Sequence, residues 1–252
     1  MGKAIVITSG KGGTGKTTAV SALSCCLASM GYKTLCLDGD MGLKNLDICL
    51  GLSDLAVMDF SDIIEGHSSP EKAIVAHPKI NNLYFLTAPV YIAHDSISPE
   101  DMKNLIESLK SQYDFILIDS PAGIGMGFQL SVCGADSALV IATTDTTSYR
   151  DAARVVIELM EQGLDDIRLI VNRIRPSLLK SMKSTIDDAV DSVGVQLIGI
   201  VPEDKAIILS SNAGIPLTAF NRKSKGALDA FMRISQRLAG QKVAINKIRK
   251  YI

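Results

Sequence analysis

The chain is short of net charge, of paired cysteine and of long apolar runs, and each shortage excludes a class of protein. Its 26 Lys and Arg against 27 Asp and Glu leave a net charge of -1. No global basic field exists to hold nucleic acid, so a nucleic-acid partner is not expected, although a local basic patch remains compatible with the numbers. The five cysteines, at 25, 26, 36, 49 and 133, are odd in number and contain no C-x-x-C pair. That argues against a disulfide framework or a zinc ribbon and for inert thiols in a reducing cytosol. No stretch approaches the ~18 to 20 apolar residues that cross a bilayer. The N-terminus runs directly into Ala4-Ile5-Val6-Ile7 without a signal-peptide layout, and Val6 breaks the myristoylation pattern that Gly2 would open. A cytoplasmic protein is expected. Internal repeats, low-complexity tracts and long linkers are missing too.

What is present is 252 residues, 47% hydrophobic and 21% charged, a composition that supports a large core. Short β-rich apolar runs alternate with helix-like segments. The pattern predicts strands at Lys3 to Thr8, Lys33 to Asp38, Leu83 to Thr87, Asp114 to Asp119, Ser137 to Thr143, Arg168 to Asn172 and Leu197 to Val201. It predicts helices over Pro99 to Gln112, Thr146 to Gln162 and Leu178 to Val193. Strands that are continuously apolar are covered on both faces. The expected fold is therefore α/β: a doubly wound, mostly parallel sheet flanked by helices, a three-layer sandwich in which ligands sit beyond the carboxyl ends of the strands. Residues 1–240 read as one domain and 241–252 as a tail.

The first strand is followed by Gly10-Lys11-Gly12-Gly13-Thr14-Gly15-Lys16-Thr17-Thr18, a G-x-x-x-x-G-K-[ST] phosphate loop in its required strand-to-helix setting. Its backbone N–H groups and the helix start suit phosphate oxygens. Lys16 is expected at the β- and γ-phosphates, Thr17 on Mg²⁺ and Thr18 at the α-phosphate. Asp119 closes an apolar strand downstream of this loop, as a Walker B carboxylate does, and the alternative is a simple turn cap. The glycines of Ser120-Pro121-Ala122-Gly123-Ile124-Gly125 allow a mobile switch. Asn172 ends a later strand, and its amide can both donate to and accept from an adenine edge; a plain turn role is the alternative. Arg173 adjoins it, and Pro202-Glu203 could wall the other side of a base. An N-K-x-D guanine signature is not present, so ATP is expected rather than GTP.

Lys11, a second lysine inside the loop, makes K-G-G-x-G-K-T-T. This resembles the deviant Walker A motif of the ParA/MinD family of P-loop ATPases, and the likeness runs from Met1 to about Ala239. The resemblance implies an ATP-bound homodimer in which Lys11 reaches the partner's nucleotide. In a monomer Lys11 could instead fold onto its own phosphates or into solvent. It further implies that Asp40 orients the attacking water, that Asp38 supports Mg²⁺ or its waters, and that Asn172, Arg173, Pro202 and Glu203 form an adenine pocket. Gly42-Leu43-Lys44-Asn45-Leu46-Asp47, Asp119 to Ile124, Gly134-Ala135-Asp136 and Val171 to Arg175 are similar to the MinD branch. Tyr149 to Arg154 resembles the family's partner-facing helix, with Lys44, Asn45 and Asp151 as implied contacts for a MinC-like division inhibitor and a MinE-like or other topology factor. The flagellar-number FlhG branch and a ParA-type DNA segregation role, with Lys180, Lys183, Arg222, Lys223 and Lys225 as a basic surface, are the alternatives. The stretch from Pro176 to Val195 is shorter than in many MinD proteins.

At 100° per residue, Ile245, Ile248 and Ile252 of the tail fall within about 60° of one another. Lys242, Lys247, Arg249 and Lys250 occupy the remaining arc. That is the layout of an interfacial membrane anchor, or else of a docked terminal helix with solvated lysines. One such tail binds anionic lipid weakly and two on a dimer gain avidity. Peripheral attachment to the inner face of the cell membrane under ATP control is the resulting expectation.

Overall fold

The computed structural model describes residues 1–41, 45–53, 55–90, 97–182, 185–220 and 226–245. From the N-terminus the elements are β1 (Lys3–Thr8), α1 (Lys16–Ser29), β2 (Thr34–Asp38), α2 (Leu46–Leu50), α3 (Phe60–Ile64), α4 (Pro70–Ala73), β3 (Val75–Ala76), β4 (Leu83–Leu86), α5 (Pro99–Leu109) and β5 (Phe115–Asp119). They continue with α6 (Met126–Val132), β6 (Ser137–Ala142), α7 (Thr146–Glu161), β7 (Ile167–Ile174), α8 (Pro176–Met182), α9 (Ile186–Val193), β8 (Gln196–Pro202), α10 (Lys205–Asn212), α11 (Leu217–Phe220) and α12 (Ala227–Leu238).

Among the described residues the sheet has eight strands in the order β3-β4-β2-β5-β1-β6-β7-β8, all pairings parallel except the short β3–β4 pair. Alternation along β1 shows how the layers arise. Ala4 and Val6 enter a core shared with α5, α6, α7 and α9, whereas Ile5 and Ile7 enter a core shared with α1 and α12. Successive side chains of a strand point to opposite faces, so a strand of unbroken apolar residues belongs between two helical layers. α1 is buried from Ala19 to Ala28, which explains why its sequence lacks a polar stripe.

The seven strands expected from the apolar runs are present, within two residues at each end. Two features differ. β3 is only two residues long, too short to leave a pattern. The helix expected over Leu178 to Val193 is two helices, because the Thr185 hydroxyl accepts the Asp188 N–H and the Asp188 side chain accepts the Thr185 N–H. That capping box starts a new helix. At the β3 exit, buried His77 donates from Nε2 to the Leu50 carbonyl at 3.0 Å. Its Nδ1 accepts from the N–H groups of Lys79 and Ile80 at 3.1 and 3.0 Å, so the ring is neutral.

Candidate nucleotide site

β1, β2 and β5 are neighbours, and their carboxyl ends bring the phosphate loop, Asp38 and Asp119 together. The Gly39 N–H donates to the Asp119 carbonyl at 2.8 Å, and the Ser120 N–H to the Ile7 carbonyl at 3.2 Å. The result is a cleft of about 540 Å³ lined by Gly12, Gly13, Gly15, Lys16, Thr17, Thr18, Asp40, Asn45, Pro121, Ala122 and Arg173, with Cys49 at its edge.

The loop is held from within. Thr14 Oγ1 and Lys16 Nζ both donate to Ser9 Oγ, at 2.9 and 3.1 Å, and Ser9 Oγ donates to the Lys11 carbonyl at 2.8 Å. Ser9 is thus the hub of the loop. It lies one residue before the motif, and its only signal in the sequence is a polar residue at the end of a buried strand. Gly15 starts α1 with φ +100°, and a Cβ there would lie 2.5 Å from Asn172 Nδ2. Only glycine combines that dihedral with that clearance. Gly10 is needed for a different reason: a Cβ on it would lie 2.5 Å from the Asp151 Cβ and 2.6 Å from its carbonyl oxygen.

Three carboxylates and one lysine face each other. Asp119 is buried, one of its oxygens has no hydrogen-bond partner, and burial pushes its carboxyl up to about 8 against the opposing hydrogen bond from Thr17. Burial also raises Asp38, to about 6, and one of its oxygens is equally unpartnered; its other oxygen accepts the Asp40 N–H at 3.0 Å. Asp40 is half-buried and raised by desolvation, with Lys16 opposing. Desolvation lowers Lys16, while Asp119 and Asp40 pull the other way. Unpaired buried carboxylate oxygens are costly, and a divalent cation held with the Thr17 hydroxyl would satisfy them. The donor set, hard oxygens only, fits Mg²⁺.

Asn172 is buried, and its Nδ2 donates to the Thr14 carbonyl at 2.8 Å, leaving Oδ1 without a partner. The side chain expected at the base therefore also braces the phosphate loop, and its free acceptor is the atom an adenine amino group requires. Arg173 is exposed, with φ +54° at the end of β7. Pro202 is buried at the end of β8, and Glu203, exposed, forms a two-point ion pair with Arg175.

Lys11 lies outside the cleft. Its Nζ is 2.7 Å from Asp145 Oδ1 and 3.2 Å from Thr147 Oγ1. Burial raises the Asp145 carboxyl, but the hydrogen bonds from Lys11, Thr143 and Thr147 outweigh it and hold the group below the usual carboxylate range. Asp145 is also the N-cap of α7, accepting the Ser148 N–H at 2.9 Å. Of the expected partner contacts, Asn45 rims the cleft, Asp151 is half-buried with its backbone against Gly10, and Tyr149 is buried. Lys44 lies outside the described residues, as do Ile248, Ile252, Lys247, Arg249 and Lys250 of the expected anchor. Ile245 is described and 39% exposed. No helix among the described residues is long and apolar enough to cross a membrane.

A family model described as an AAA domain matches residues 2–166. The septum site-determining protein MinD of Thermotoga maritima is 40% identical over 97% of this chain and 91% of its own length. That of Bacillus subtilis is 38% identical over 97% and 92%. This chain belongs to the MinD family. It is a P-loop ATPase, and its role lies in the placing of the division septum. Among solved structures, the Aquifex aeolicus MinC:MinD cell division complex superposes with a TM-score of 0.90 at 37% identity, covering 97% of this chain and 98% of the other. MinD of Pyrococcus horikoshii, complexed with Mg-ADP, does so with 0.83 at 33%, covering 94% and 96%. A ParA family ATPase from Chlorobium tepidum shares the fold at 20% identity.

Proposed function

We propose that this chain is an ATP-gated spatial switch: ATP and Mg²⁺ close a homodimer, the dimer holds the membrane through paired C-terminal segments and recruits a division inhibitor, and hydrolysis releases it. The observation that carries the reading is the meeting of unpartnered Asp38 and Asp119 oxygens with Lys16 and Thr17 at the mouth of a glycine loop. The Pyrococcus relative's Mg-ADP supports the ligand class, and the Aquifex MinC:MinD complex supports a MinC-like partner. A MinE-like factor would stimulate turnover.

In this reading the loop amides and Lys16 bind and orient the triphosphate, and Asn172 with Arg173, Pro202 and Glu203 reads the adenine. Thr17 and Asp119, supported by Asp38, would hold Mg²⁺, which would supply charge neutralisation to the triphosphate. Asp40 holds a water for attack on the γ-phosphorus, giving ADP and inorganic phosphate. Lys11 leaves Asp145 and supplies positive charge across the dimer. Light scattering of the full chain with ATP and Mg²⁺ tests the scheme, with ADP as control. Doubling of the mass under ATP, lost in Lys11→Ala, is the expected result. A single mass under both nucleotides, with ATP still hydrolysed, would remove the dimer from the scheme.

A further inference from the structure

The end of α12 carries a construction that the nucleotide site does not use. Gly240 adopts φ +81°. Its N–H donates to the Arg237 carbonyl at 3.0 Å, and the Gln241 N–H donates to the Gln236 carbonyl at 2.9 Å. This pair of bonds is a Schellman motif, which ends the helix and turns the chain away from its axis. The chain is then caught a second time. The Arg237 guanidinium donates from Nε to the Val243 carbonyl at 2.8 Å, from Nη2 to the Ala244 carbonyl at 2.7 Å, and from Nη1 to the Ile198 carbonyl at 2.6 Å. Arg233 Nη1 reaches the Ala244 carbonyl as well, at 3.5 Å. Ile198 belongs to β8, the outermost strand at this edge of the sheet. One planar fork therefore ties three carbonyls, two of them in a segment with no regular secondary structure, to the edge of the ATPase body. A lysine ammonium, a point donor on a flexible stem, does not reproduce that fork.

We propose that Arg237 is a positioning residue for membrane attachment: it clamps the chain at Val243–Ala244, so that the amphipathic residues beginning at Ile245 leave the body from a fixed point. This rests on the reading of residues 245–252 as a membrane anchor. Without the clamp, the free segment would begin at Gly240, five residues earlier. A flexible stretch of that length spreads over about 12 Å. Avidity between two anchors on one dimer depends on effective concentration, which falls steeply with free linker length. The clamp shortens the linker and fixes the separation and direction of the two anchors, without itself touching lipid or nucleotide.

The test uses the full chain with a non-hydrolysable ATP analogue and Mg²⁺, sedimented with phosphatidylglycerol-containing vesicles. It compares the wild type, Arg237→Lys, Arg237→Gln and a truncation after Ala244. Four readouts without vesicles accompany it: melting temperature, amide exchange at Lys242 to Ile245, light scattering with the same analogue for dimerisation, and basal turnover with ATP and Mg²⁺. The expected result is vesicle affinity about three- to tenfold weaker in both Arg237 variants, faster exchange at those amides, and unchanged nucleotide-dependent dimerisation and basal ATPase rate. Arg237→Lys keeps the charge at the helix end and so guards against a general loss of folding. If the truncation abolishes sedimentation but Arg237→Lys binds vesicles like the wild type, the clamp is overturned and the anchor stands. If the wild type does not sediment, or the truncated chain sediments equally well, the anchor reading falls and the clamp's role in attachment falls with it.

Discussion

Asp145 does two jobs with one carboxylate, and the two can be separated. Its N-cap bond to α7 is of a kind worth about 0.5–2 kcal/mol. Its ion pair with Lys11 joins side chains that are 37% and 46% exposed, which limits the pair to about 1 kcal/mol or less. Asp145→Asn keeps a good cap and loses the charge. It should destabilise the chain by less than about 1 kcal/mol in urea titrations at low salt, and by less still at high salt. Asp145→Ala loses both and should cost about 1–2 kcal/mol, largely independent of salt. His77 gives a prediction in pH. Burial lowers its folded pKa below 6.5, with Lys79 adding to the effect and the Leu50 carbonyl opposing it. The neutral ring is thus the folded form. Its stabilisation is fully present above the unfolded value and fades as pH falls below it. His77→Ala should cost about 1–3 kcal/mol at pH 7.5, because it strands a carbonyl and two amides, and measurably less at pH 5.5. A cost that does not shrink on acidification would contradict the neutral-ring assignment.

At the scale of elements, the phosphate loop meets α7 in a tight seam. Gly10→Ala places a methyl against the Asp151 backbone, which has no rotamer by which to yield. Either α7 or the loop must move. ADP affinity, read by calorimetry, should fall at least about tenfold, equivalent to 1.4 kcal/mol. Wild-type affinity in Gly10→Ala would mean that α7 gives way freely. This seam also marks where the sequence was readable. The glycine motif announced the loop, and the doubly covered strands announced themselves by unbroken apolar runs. The Asn172–Thr14 bond was not readable, because it joins positions that only the parallel strand order makes neighbours, and Ser9 was not, because the local fold of the loop, rather than the motif, turns its hydroxyl toward Lys11, Thr14 and Lys16. The resemblance placed Asp151 on a partner-facing helix, but helical spacing gives a face, not what the face meets, and so did not show its backbone against Gly10. The break between α8 and α9 turned on a single capping box, Thr185 with Asp188, inside an otherwise continuous helical pattern.

For the molecule as a whole, the site is a place where stability is given up for binding. Asp119 is buried with an unpartnered oxygen and a carboxyl raised to about 8. Asp119→Asn removes the cost of that charge. The ligand-free variant should melt higher than the wild type at pH 8, while the extra stabilisation that Mg²⁺ adds to ADP disappears. A variant that melts lower without ligand would show that the buried carboxylate is already satisfied. Fully buried Phe231, on the α12 face toward the core containing α1, should cost about 3–5 kcal/mol on truncation to alanine by the usual cavity penalty, measured by urea denaturation.

The strand order has a consequence for synthesis. β1 lies between β5 and β6, so the loop completed at Thr18 faces a carboxylate made a hundred residues later, and its base-side brace, Asn172, is made later again. A ribosome must deliver about four fifths of the chain, through Glu203, before a nucleotide meets the whole of the proposed pocket. Phosphate-binding groups exist in the nascent chain well before anything that reads a base. With the proposed adenine pocket, early binding would be indifferent to the base, and only a nearly finished chain could tell adenine from guanine.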